Sequence, residues 1–218
     1  MIQVKDTEAT RDLCSDDRLP VVPAVVARFM ESARDPEVDF SRLAELLSTD
    51  VAISGKLLRM ANSVMFGGRT EVTSIKGALL RLGLKVTRMT VLSFAMEAEM
   101  EAVLPEEFDL ESFRRGTLAT AVAARALAAK VDPAICDEAF SAGLLQDIGR
   151  AALWVNRPDQ CRKAQRRAGT SDGRSLVEAE KELVGTAHPE VGAFLLQQWG
   201  LPPKIWRPVR HHHYPRKA

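Results

Sequence analysis

The residues of this 218-residue chain whose chemistry reaches beyond packing are few. Four are histidines, His188 and the consecutive His211, His212 and His213; Asp147 lies in the most apolar stretch, and Cys14, Cys136 and Cys161 are widely scattered. The cysteines are odd in number and form no CxxC pair, which argues against a disulfide framework or a thiolate zinc site. Burying Asp147 alone would be costly, so a partner is expected, either an arginine or a buried helix N-terminus. His188 precedes Pro189-Glu190 and stands where an N-cap stands, with proline at the first helical position and an acid in the first turn. Neighbouring residues on a helix point about 100° apart, so at most one or two of His211, His212 and His213 can face inward. The basic run Arg157, Arg162, Lys163, Arg166 and Arg167 has the charge to bind phosphates but no interleaved aromatics, and reads as a solvated helix face. Asn62 and Ser63 end a helix before Gly67-Gly68, where their side chains suit a structural turn. No Walker A loop, dinucleotide-binding glycine motif or Gly-x-Ser-x-Gly elbow is present.

The elements that must position these residues are helical nearly throughout. Val22, Val25, Val26, Phe29, Met30 and Ala33 recur with helical spacing, and Asp35-Pro36 ends that helix. Phe40, Leu43, Ala44 and Leu47 form a second stripe behind Asp39 as N-cap. A third helix is expected from about Val51 to Asn62. Ser74 caps a short helix through Leu80, and Gly83 separates it from one carrying Val86, Met89, Leu92 and Met96. The Ala- and Leu-rich run Leu110 to Lys130 follows, and Asp132-Pro133 reads as a cap with proline at the first position. From Ala139 to Val155 apolar residues wrap every side of one helix, which places it mid-core with Asp147 in its middle. Residues 169–173 read as a loop. Trp199 and Trp206 flank Leu201-Pro202-Pro203 and should wedge that turn into the core, and Pro208 predicts a kink or a late helix start. No segment alternates with period two for long, so the fold class is all-α, divided near Met100 to Asp109.

Composition bounds the function. With 46% apolar and 27% charged residues the chain can bury a full core. Thirty Lys+Arg against 29 Asp+Glu leave a net charge of +1, a poor footing for a dedicated nucleic-acid binder. No signal-peptide h-region and no long apolar run is present, so export and membrane spanning are not expected, and a reduced, cytoplasmic protein is.

Three stretches together resemble one family. LLRMANSVMFGG (Leu57 to Gly68) with VTSIKGALLRLGLKVTRM (Val72 to Met89) is similar to the N-terminal signature of HDOD domains, HD-related output domains of bacterial signalling proteins. GLLQDIGR (Gly143 to Arg150) resembles the core of the wider HD phosphohydrolase superfamily. HPEVGAFLLQQWGLPPKIWRPVRHHHYP (His188 to Pro215) is similar to the C-terminal HDOD pattern. The resemblance implies an HD-domain-like helical bundle at about 105–215, preceded by a helical lobe at about 19–104, with 1–18 as an N-terminal extension. It also implies a regulatory role more than a catalytic one. Active HD enzymes use metal to make a nucleophile from water. Here their first ligand histidine is missing around Gly116, and Gln146-Asp147 replaces the adjacent His-Asp pair. Glutamine is a poor transition-metal ligand. Asp147, His188, His212 and His213 remain at positions that bear metal in related phosphodiesterases, a vestigial set for which no metal or other cofactor is expected. For His188, capping and ligation both stay open. The reading is a non-catalytic module that binds a protein partner in a bacterial signalling pathway. A nucleotide or other small ligand in the old pocket is left open, and nucleic acid and membrane are not expected partners. The rival reading is a metal-dependent phosphohydrolase acting on a nucleotide or cyclic dinucleotide.

Overall fold

The computed structural model describes residues 7–15, 23–33, 35, 37–66, 70–169 and 173–217, all helix, turn or irregular backbone with no strand among them. Val22, Pro36 and the Gly67-Gly68 turn, named above, lie outside the described residues, as does the middle of the 169–173 loop. The chain divides into two compact units, one made of Met1–Pro20 with Met100–Ala218 and a smaller one of Val21–Glu99.

The smaller unit holds α2 (Ala24–Ser32), α3 (Phe40–Ser48), α4 (Val51–Ala61) and nearly all of α5 (Ile75–Glu101). Its starts are set by aspartates: Asp39 accepts from the Ser41 N–H at 2.8 Å and Asp50 from the Ile53 N–H at 2.9 Å. Val26, Phe29, Leu43, Leu47 and Leu57 are buried on the expected faces. Gly83 interrupts α5 with φ +76°, a conformation that a Cβ would strain. Asn62 clasps the following loop with both ends of its amide. It accepts from the Val72 N–H and donates to the Val72 carbonyl, each at 2.8 Å, which makes it structural as expected.

The larger unit begins with α1 (Glu8–Cys14), which packs on α11 and ties Thr10 to Thr186 through a buried 2.7 Å hydroxyl pair. It continues with α6 (Leu110–Val131), a 3-10 turn at Pro133–Ile135, α7 (Cys136–Leu145), α8 (Ile148–Asn156), α9 (Pro158–Ala168), α10 (Gly173–Val184), α11 (His188–Gln198) and α12 (Pro203–His211). Asp109 and Asp132 cap the two starts before and after α6. Every residue of α8 is buried except Arg150, as its all-round apolar pattern requires.

Two expectations are corrected here. The helix read as continuous from Ala139 to Val155 is broken at Gln146-Asp147, so Asp147 lies at a bend and not mid-helix. Close packing on both sides accounts for the break. A Cβ on Gly143 would lie 2.9 Å from the Ala121 backbone of α6, and one on Gly149 would overlap the His188 carbonyl and the Gly192 nitrogen of α11. Each half of the segment follows a different neighbour. Secondly, α12 starts at Pro203 and continues past Pro208, so the helix does not start late at that proline. The bond that proline removes would end on the carbonyl of Lys204, an exposed residue whose carbonyl water can serve. Trp199 and Trp206 are half-buried about the buried Leu201.

Candidate functional site

Four segments of the larger unit meet at one point: the α7–α8 bend with Gln146 and Asp147, α10 with Glu180, the first residue of α11 with His188, and the segment leaving α12 with His212 and His213. His188 is fully buried. It starts α11 and does not cap it, because the Glu190 carboxylate caps instead, accepting from the Ala187 N–H at 3.0 Å. The His188 imidazole is thereby free to turn inward. A single oxygen of the buried Glu180, Oε2, accepts from both the His188 backbone N–H at 2.9 Å and Nδ1 at 2.7 Å. Nδ1 faces an acceptor and carries the proton, so Nε2 points to the centre of the cluster. There it lies 3.0 Å from His213 Nε2 and 3.6 Å from Asp147 Oδ1. His212 donates Nδ1–H to the Val209 carbonyl at 2.7 Å, and its Nε2 comes within 3.9 Å of the same Asp147 oxygen. That Nε2 is buried and has no hydrogen-bond partner.

Two members of the consecutive histidine triplet therefore turn to the cluster. Asp147 finds its partners in these imidazoles and in the Gln146 amide, which donates to Oδ2 at 3.1 Å. Burial pushes the Asp147 carboxyl up. His188, Arg150, His212 and the Gln146 bond outweigh that effect and leave it below the usual carboxylate range. Burial lowers His212, and lowers His213 to about 4, with the neighbouring imidazoles adding to the effect on His213.

Sequence reasoning missed Glu180, Gly173 and Arg174. Glu180 carries a faint signal: Val177, Glu180 and Val184 share one helical face, and Val177 is buried. Gly173 has no signal at all, yet a Cβ there would overlap the His213 ring, and Arg174 Nε holds the His213 carbonyl at 3.1 Å. Cys161 stands near Glu180, and burial followed by that negative charge pushes its thiol up to about 12, so it is unreactive at neutral pH. Arg162 of the basic run is paired with Asp159 and Glu107, and Arg167 with Glu182.

A cavity of about 220 Å³ on the α6 side of the bend is lined by Phe113, Gly116, Thr117, Asp147, Arg150 and Trp154, among others. A second, of about 460 Å³, lies against Gln146 and His212 between α6, α7 and α12, with mainly small apolar walls. The metal centre of an HD hydrolase does not fit the first. At Gly116 nothing but backbone faces that space, and the residue before Asp147 offers an amide already engaged with the carboxylate.

Comparison with known proteins places the fold. The fold is that of the HD superfamily, and the HDOD domain family model matches residues 19–215. The chain belongs to the HDOD domain family. It is similar to an HDOD domain protein from Geobacter sulfurreducens, with 25% identity and a TM-score of 0.75 over 96% of this chain and 70% of that one. A candidate phosphohydrolase from Shewanella amazonensis SB2B aligns with 28% identity and a TM-score of 0.79 over 97% of this chain and 74% of its own. An uncharacterised protein of Treponema pallidum (strain Nichols) is 26% identical over 97% of this chain, which spans 41% of that relative's length. No helix among the described residues is long and apolar enough to cross a membrane.

Proposed function

We propose that this chain is a non-catalytic regulatory module that acts by binding a protein partner in a bacterial signalling pathway. The observation that carries the reading is the pairing of Gly116 with Gln146 around Asp147. The donors that a hydrolytic centre needs on the α6 side of the carboxylate are replaced by a backbone and a neutral amide. What remains for function is shape and surface. Leu118, Leu127, Val131 and Ile135 leave apolar side chains exposed along α6 and the turn after it, a surface suited to a protein partner. The test joins two measurements on the whole chain. Supplied with zinc, manganese or iron, it should hydrolyse phosphodiesters, cyclic dinucleotides included, no faster than Asp147→Ala. Capture of partners from the native cell should fall when Leu127 and Val131 are both changed to Glu. Turnover above the Asp147→Ala background refutes the reading.

The second reading, a metal-dependent phosphohydrolase, draws on one observation: three imidazoles and Asp147 converge. It requires metal-dependent turnover that disappears in Asp147→Ala.

A further inference from the structure

We infer that a segment of a partner protein docks on the larger unit by seating one large apolar side chain in the cavity between α6, α7 and α12, with an acidic residue beside it on the basic face of α12. The inference rests on the protein-binding reading above and adds the site and the chemistry of the partner.

The cavity offers room for an anchor. Its volume of about 460 Å³ lies within the range of ligand sites, roughly 300–1,000 Å³. The room comes from short side chains: Ala124 on α6, with Ala139 and Ala142 on α7, line the space where longer apolar residues would fill it. A large apolar side chain seated in such a pocket is the common energetic centre of a protein interface.

The wall of the cavity continues beyond it, which favours a peptide chain over a small molecule. Thr120 and Ala124 line the cavity, and Leu127 and Val131 follow Thr120 at i+7 and i+11 on the same face of α6. Leu127 is 65% exposed and Val131 84%, while Ile135, itself part of the lining, is 42% exposed. A ligand confined to the cavity would leave this apolar ridge in water. A chain passing over the cavity covers both.

Charge sets the other edge. Lys204, Arg207 and Pro208 fall at i, i+3 and i+4 on α12, and the first and last of them line the cavity. Lys204 and Arg207 are exposed, and neither has an ion-pair partner among the described residues. None of the 29 Asp and Glu lies after Glu190, so α12 carries no acid of its own to offset them. The acid among the lining residues, Glu138, belongs to α7, which places the partner's acid on the α12 side.

Random dodecapeptides displayed on phage are selected against the whole protein, and the winners are remade with a fluorophore and titrated by anisotropy. They should carry Leu, Phe or Trp within a few residues of Asp or Glu. Ala139→Leu, which fills the cavity, should weaken binding by at least about 10-fold. Lys204→Glu should weaken it by about 3–10-fold, and by less at high salt. Lys163→Glu, the same charge change on α9, should bind like wild type. Ala142→Leu fills the cavity a second way, and thermal melting shows that the variants keep the fold. Affinity unchanged in both Ala139→Leu and Lys204→Glu, or lost equally in Lys163→Glu, overturns the inference. A selection that returns no binder does the same. Cavity-dependent binding of anilinonaphthalene sulfonate without any peptide would make the space a small-molecule site and also overturns it. In each of these cases, partner capture that still falls when Leu127 and Val131 are changed to Glu leaves the regulatory reading standing. Phosphodiester turnover above the Asp147→Ala background overturns that reading, while peptide binding at the cavity stands.

Discussion

Glu180 offers the sharpest test of how the cluster is held, because both of its bonds to His188 end on one oxygen. Truncation to Ala leaves a buried N–H and a buried Nδ1–H without an acceptor. Each such orphan costs about 1–3 kcal/mol, so Glu180→Ala should lose about 4 kcal/mol. Glu180→Gln keeps a carbonyl oxygen where Oε2 stands and retains both bonds. It exchanges two charge-assisted bonds for neutral ones of about half their strength, at a cost of about 1 kcal/mol. In a chain of this size the two variants should melt about 10 °C and about 3 °C below wild type. Trp154, Trp199 and Trp206 all lie in the larger unit, so urea unfolding followed by tryptophan fluorescence reports on the part that holds the site. Chelator keeps metal out of the comparison, and equal m-values show that both variants unfold the same surface. If Ala and Gln cost the same within 1 kcal/mol, Glu180 does not act through this acceptor geometry.

Three further outcomes follow from the same packing. Gly149→Ala should destabilise by about 1–3 kcal/mol or more, since its methyl group meets the α11 backbone, whereas Gly116→Ala, with open space and a helical site, should stabilise by about 0.5–1 kcal/mol; denaturant titration separates the signs. His212 and His213 are held below the ordinary histidine value, so the unfolded chain binds more protons, and stability should be full above about pH 6.5. It should then fall with pH towards 4, with the Asp147 contribution lost only below that window. A His213→Asn variant whose unfolding free energy keeps the same slope between pH 6.5 and 4 would contradict this. Thiol reagent on the native protein should label the half-buried Cys136 and reach the buried Cys14 and Cys161 only after denaturation, as a timed count of free thiols will show.

The helices were legible where local chemistry decides them. Asp39 and Asp132 cap where their sequence positions say, Gly83 breaks α5, and the apolar wrap of α8 marks it as central. The bend at Gln146-Asp147 was not legible, because no glycine or proline stands at the break. It follows from what Gly143 and Gly149 touch on α6 and α11, and such contacts have no expression in the local pattern. The site was half legible for the same reason. Asp147, His188, His212 and His213 could be picked out by type and resemblance, but their convergence depends on the path of α10 and α12. Glu180 reaches His188 across the Gly185 turn, a pairing that helical periodicity does not encode. Of the two roles left open for His188, the cap is not taken, because α11 begins at His188 itself and Ala187 stands at its N-cap.

The departures from the ligand pattern of HD hydrolases leave the two sides of Asp147 different. Towards α6 the carboxylate faces Gly116 and Arg150, a side with no imidazole to share an ion and with a cation that opposes one. Towards α11 and α12 it faces three imidazoles, two of them oriented by outward hydrogen bonds and one braced by a buried acid. Glu180 aims the His188 imidazole at its neighbours. The hydrogen bonds at this point link α10, the start of α11 and the segment after α12. A partner that pulls on the segment after α12 would act on the same bonds that fix the start of α11.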